Sequence, residues 1–67
     1  MHIRLNNEII ALPDSNMTVK ELLKSREINE QGTAVAVNGR LVERKSWDNA
    51  VLGENDDVVI ISAAFGG

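Results

Sequence analysis

Two short runs, Thr33-Ala34-Val35-Ala36-Val37 and Val58-Val59-Ile60-Ile61, are apolar almost throughout, yet only one segment of the chain has the start signal and spacing of a helix. Strands of that kind are apolar on both faces and need cover on both. One short helix covers one face. The sequence therefore predicts a sheet with a helix on one side and an exposed apolar patch on the other, the usual mark of an interaction site. The only other stretch available to shield that patch is the irregular segment 43–57.

The remaining elements follow from local pattern. Ile3 and Leu5 alternate with His2 and Arg4, the period of a half-buried strand, and Glu8 to Leu12 reads as its return. Asn6-Asn7 between them accepts left-handed backbone angles and makes a tight turn. Pro13-Asp14-Ser15-Asn16 ends the hairpin. Thr18-Val19-Lys20-Glu21 matches a capping box, and Val19, Leu22 and Leu23 form an apolar stripe that Ile28 extends. The helix is expected from about Val19 to Arg26, too short to stand without packing on the sheet. Asn38-Gly39 is the strongest hairpin dipeptide and joins strand 33–37 to Arg40-Leu41-Val42. Segment 43–57, with apolar anchors at Trp47, Val51 and Leu52, is expected to hold a short helical turn or edge strand. The whole reads as an α+β domain of four to five strands with its helix on one sheet face. A parallel pairing of the first and last strands would make it a β-grasp. The domain is expected over residues 1–64, with a flexible tail at 65–67.

Several functions are disfavoured. A chain of 67 residues buries only about 60% of its unfolded surface, and without cysteine neither disulfides nor a thiolate metal site supplements the core. The net charge of −3 argues against sequence-independent nucleic-acid binding. No signal-like stretch and no run of membrane-spanning length is present, so a cytoplasmic protein with no membrane partner is expected. His2, the only histidine, reads as an exposed strand-start residue, and Glu54, Asp56 and Asp57 read as a solvated turn. Arg40, Arg44 and Lys45 either steer an acidic partner or line a solvated hairpin edge. No catalytic constellation emerges.

What stands out instead is the ending, Gly66-Gly67, which chance would produce in about one chain in 200. An α-carboxylate is ionised at pH 7 and is a poor electrophile until adenylation supplies a leaving group. Two residues without side chains can thread a narrow active site. The activated acyl group can then pass to a sulfur nucleophile or to an amine.

In Val35-Ala36-Val37-Asn38-Gly39, Val42-x-Arg44, Trp47, Leu52, Asp56, the closing strand Val58 to Ile61 and Gly66-Gly67, the chain resembles the ThiS family, the bacterial sulfur carriers of thiamine biosynthesis. The resemblance spans essentially the whole chain and implies a ubiquitin-like β-grasp that serves as a carrier rather than an enzyme. It implies a ubiquitin-activating-type (ThiF-like) adenylyltransferase that uses ATP and Mg²⁺ to adenylate Gly67. Sulfur relayed from cysteine through a cysteine desulfurase would convert Gly67 to a thiocarboxylate, and a ThiG-like thiazole synthase would accept that sulfur. Phe65, Gly66 and Gly67 would form the tail that enters partner active sites, and the apolar sheet face would dock. Arg40 and Arg44 are candidate partner contacts, and no cofactor is expected to bind this chain. Two positions depart from the family pattern. Glu43 stands where proline is frequent, and Asn55 stands where glycine is usual before the last strand. Asn tolerates left-handed angles, so that turn is expected to survive. The rival readings are a molybdopterin-type sulfur carrier and a ubiquitin-like modifier conjugated to lysines.

Overall fold

Both asparagine-led turns close hairpins. In the computed structural model, which describes residues 1–13 and 16–62, Asn6 and Asn7 take φ of 48° and 71° between β1 (His2–Leu5) and β2 (Glu8–Ala11). Asn38 and Gly39 take 53° and 82° between β3 (Thr33–Val37) and β4 (Arg40–Val42). Positive φ at both central residues matches the right-handed twist of the flanking strands. The last strand, β5 (Asp57–Ser62), lies between the two hairpins in the sheet order β2-β1-β5-β3-β4. It runs parallel to β1, with Leu5 opposite Val58, and antiparallel to β3, with Val35 opposite Ile60. The expected parallel pairing of first and last strands is present, in a five-stranded mixed sheet.

Helix α1 (Val19–Ser25) begins with the capping box that its sequence announces. Thr18 Oγ1 accepts the Glu21 N–H at 3.1 Å, and Glu21 Oε1 accepts the Thr18 N–H at 2.9 Å. Its end falls where expected, with Arg26 as the C-cap, and it is closed by a turn that the sequence does not announce. Glu27 adopts φ of 56°, the Ile28 N–H donates to the Leu23 carbonyl at 2.9 Å, and the Glu27 N–H donates to Lys24 at 3.1 Å. Those two bonds make a Schellman motif, normally closed by glycine. Ile28 therefore reaches the core from this turn, one residue past the bend, and not from the helical stripe.

Val19, Leu22 and Leu23 pack on Ile3, Leu5, Val35, Val58 and Ile60 in one core. Segment 43–57 joins them on the same side. It holds a 3₁₀ turn (Arg44–Ser46) and a single bridge from Thr18 to Val51. Trp47 is buried at 2% exposure and donates its Nε1–H to the Val42 carbonyl at 2.9 Å. Leu52 is buried beside it, and its N–H donates to Met17 at 2.8 Å. The segment wraps the helix layer and leaves the opposite sheet face open. No helix among the described residues is long and apolar enough to cross a membrane.

Candidate functional site

Side chains alternate across each strand, so burial of Val35, Val58 and Ile60 sends their neighbours outward. Val59 and Ile61 face away from the helix at 39% and 64% exposure. Ala36 lies opposite both Val59 and Leu41, and Ala34 lies opposite Ile61. Leu41 is 71% exposed. The two alanines have no bulk to fill the space between larger neighbours, so the centre of this face is shallow. Toward β2 the face continues through Ile9, also 71% exposed and opposite Arg4, whose other cross-strand neighbour is Asp57. The result is an apolar field on β3, β4 and β5 edged on one side by Arg4 and Asp57, which lie opposite one another in the β1–β5 register. Sequence parity predicts the patch. Its members Leu41 and Ile9 become identifiable once the two-residue turns are used to number the cross-strand pairs.

The strand that leads toward the tail is braced from both sides. The Asn6 carboxamide acts as one more rung of the ladder, its Oδ1 accepting the Ile60 N–H at 2.8 Å and its Nδ2–H donating to the Ile60 carbonyl at 3.2 Å. On the other side Asn38 Nδ2–H donates to Asp56 Oδ1 at 2.9 Å, and Asn38 Oδ1 accepts the Asp57 N–H at 2.9 Å. Asp56 Oδ2 accepts the Gly53 N–H at 2.7 Å. Asn55 takes φ of 68° in this turn, as its left-handed tolerance predicts. The Asp56 carboxylate is thus engaged on both oxygens, by the Asn38 side chain and by the Gly53 backbone. Glu54 likewise accepts the His2 N–H at 3.0 Å, and His2 itself is exposed, as expected. Among the described residues no cluster of His, Cys, Asp or Glu could hold a metal ion.

The candidate partner contacts Arg40 and Arg44 lie apart from the apolar field. Arg40 sits opposite Val37 on β4, with the parity of Val42, the helix-facing side of the sheet edge. Arg44 lies in the 3₁₀ turn, its Nε 3.5 Å from Glu30, which also pairs with Lys20 at 3.9 Å. Lys20 reaches Asp48 at 3.6 Å, and Lys45 pairs with Glu43 at 3.3 Å. Arg44 and Lys45 are each matched to an acidic neighbour on the helix side. Phe65, Gly66 and Gly67, together with the expected flexibility of the tail, lie outside the described residues.

Comparisons with known proteins give one family and one fold. Residues 3–67 match the model of the ThiS family. The sulfur carrier protein ThiS of Escherichia coli (strain K12) is 27% identical over 67 residues, covering all of both chains. The crystal structure of a thiamine biosynthesis protein (ThiS) from Geobacter metallireducens superposes with a TM-score of 0.85 at 23% identity over the full length of both chains. A solution structure of a thiamine biosynthesis protein from that organism gives 0.82, covering this chain entirely and 88% of its own. At that identity the two structures establish the shared fold.

Proposed function

Because the chain belongs to the ThiS family, we propose that it is a sulfur carrier for thiazole formation in thiamine biosynthesis, with Gly67 as the residue that bears the sulfur. The observation that carries this reading is the family match running to residue 67, with the diglycine as its last two positions. The chemistry proceeds in three displacements. The Gly67 carboxylate attacks the α-phosphorus of ATP, pyrophosphate leaves, and an acyl adenylate forms. A partner's persulfide, loaded from cysteine through a desulfurase, attacks the acyl carbon with its outer sulfur and displaces AMP, giving an acyl disulfide. A second thiol then attacks the inner sulfur, and the thiocarboxylate leaves as that thiol is oxidised to a disulfide. ATP and Mg²⁺ belong to the adenylyltransferase, and the thiazole synthase takes the sulfur. This chain contributes position and access. Gly66 and Gly67 present no side chain to a narrow channel. The field of Leu41, Val59 and Ile61 supplies apolar area for docking next to the strand that leads toward the tail.

The test is intact mass after incubation with an adenylyltransferase, ATP, Mg²⁺ and a sulfur source. The expected outcome is the mass gain of an oxygen-to-sulfur exchange, absent from a variant lacking Gly67. No exchange, with an enzyme shown to thiolate its own carrier, overturns the assignment. Higher-mass conjugates to lysines of other proteins, in place of that exchange, would instead identify a modifier.

A further inference from the structure

Of the asparagines in this chain, only Asn38 is followed by glycine. In an Asn-Gly pair the following backbone nitrogen reaches the side-chain carbonyl carbon most easily, because no Cβ stands in the way. A Cβ built at Gly39 would meet nothing within 4 Å outside its own chain neighbours, so the turn stands clear of the rest of the fold. The Asn38 side chain is exposed but pinned at both ends, Nδ2–H to Asp56 Oδ1 and Oδ1 to the Asp57 N–H, each at 2.9 Å. Its own N–H donates to the Asp57 carbonyl at 2.7 Å.

The geometry points to Asn38 as a spontaneous isoaspartate-forming site held in check by its clasp with Asp56 and Asp57. Ring closure requires the carboxamide to turn its Cγ toward the Gly39 nitrogen, and that rotation breaks both side-chain hydrogen bonds. Once the clasp opens, the Gly39 nitrogen bonds to Cγ and the Cγ–Nδ2 bond breaks. Ammonia leaves with the proton that the Gly39 nitrogen gives up. Water then adds to one of the two imide carbonyls, giving aspartate or isoaspartate. Nothing is oxidised or reduced, and water is the only co-reactant.

The product does not fit the site it came from. An aspartate at position 38 has lost the Nδ2 donor and sets a carboxylate against that of Asp56. An isoaspartate adds a methylene to the two-residue turn that fixes the Val37–Arg40 pair. Either change keeps the clasp open and loosens Asp57, the first residue of β5.

The experiment follows intact mass and isoaspartate content with time in three samples. These are the folded chain, the same chain in unfolding urea, and the Asp56→Ala variant in native buffer with its fold checked by circular dichroism. Conversion at Asn38 is expected in urea and about tenfold or more slower in the folded chain. The folded Asp56→Ala variant should convert between those rates, since a charge-assisted hydrogen bond is worth about one decade in an opening equilibrium. Equal rates in the folded and unfolded parent overturn the proposal, as does the absence of conversion at Asn38 in urea. A folded Asp56→Ala chain as slow as the parent also overturns it. If that variant does not fold, the two parent samples still decide.

Discussion

Among the described non-glycine residues, a left-handed backbone is taken by Asn6, Asn7, Asn38, Asn55 and Glu27. Asparagine meets that conformation at low cost because its short amide compensates locally. Two of the four asparagines do a second job. Asn6 closes a ladder rung on Ile60, and Asn38 clasps the turn before β5. The Asn6→Gly variant separates the two roles, because glycine keeps the turn and loses the amide. It is expected to lower stability by about 1–2 kcal/mol in urea unfolding, the loss of two part-buried hydrogen bonds. A change below a few tenths would mean that the rung is decorative. The turn angles were legible in the sequence, since Asn-Asn and Asn-Gly carry them locally. The second role was not, because the bond from Asn6 spans 54 positions and leaves no periodic trace. Asn38 and Asp56, both among the residues that carry the family resemblance, are hydrogen-bonded to one another in this chain.

At the scale of elements, α1 is a seven-residue helix secured at both ends by different means. Its start was readable because Thr18 and Glu21 stand at capping-box spacing. Its finish was placed to within a residue, but the left-handed turn at Glu27 was not legible, because glutamate carries no end signal and the turn goes with the packing of Ile28 against the core one residue later. A side chain at that φ is strained relative to glycine. Glu27→Gly is therefore expected to raise stability by about 0.5–1 kcal/mol, read as a higher urea midpoint at unchanged slope. A lower midpoint would show that flexibility in the unfolded chain outweighs the strain. Segment 43–57 was recognisable by its anchors at Trp47 and Leu52 but not by pattern. A 3₁₀ turn and one bridge have no repeat to detect, and what fixes the segment is its bonding to the helix entry, as from the Val19 N–H to Ala50.

Across the whole molecule the sheet separates two faces, with the core on the helix side and an exposed apolar field on the open side. Two apolar runs and one helix were enough to foresee that division, whereas the position of segment 43–57 required the fold. A charge at Leu41 tests the separation, since this side chain is 71% exposed and touches the field at its centre row. Leu41→Glu is expected to leave unfolding free energy within about 0.5 kcal/mol of the parent. The same change should lower kcat/KM for adenylation by about tenfold or more, as placing a charge on an apolar docking contact does. Adenylation at the parental rate would remove this face from the docking surface. The placement of β5 has a mechanical consequence as well. A partner that grips the chain beyond Ser62 and draws it inward pulls along the axis of the central strand, which is bonded to β1 on one side and β3 on the other. Force in that direction is shared as shear among the rungs of both ladders at once, whereas an edge strand would peel one rung at a time. A pull on β5 along its axis therefore loads two ladders where the same pull on an edge strand would load one.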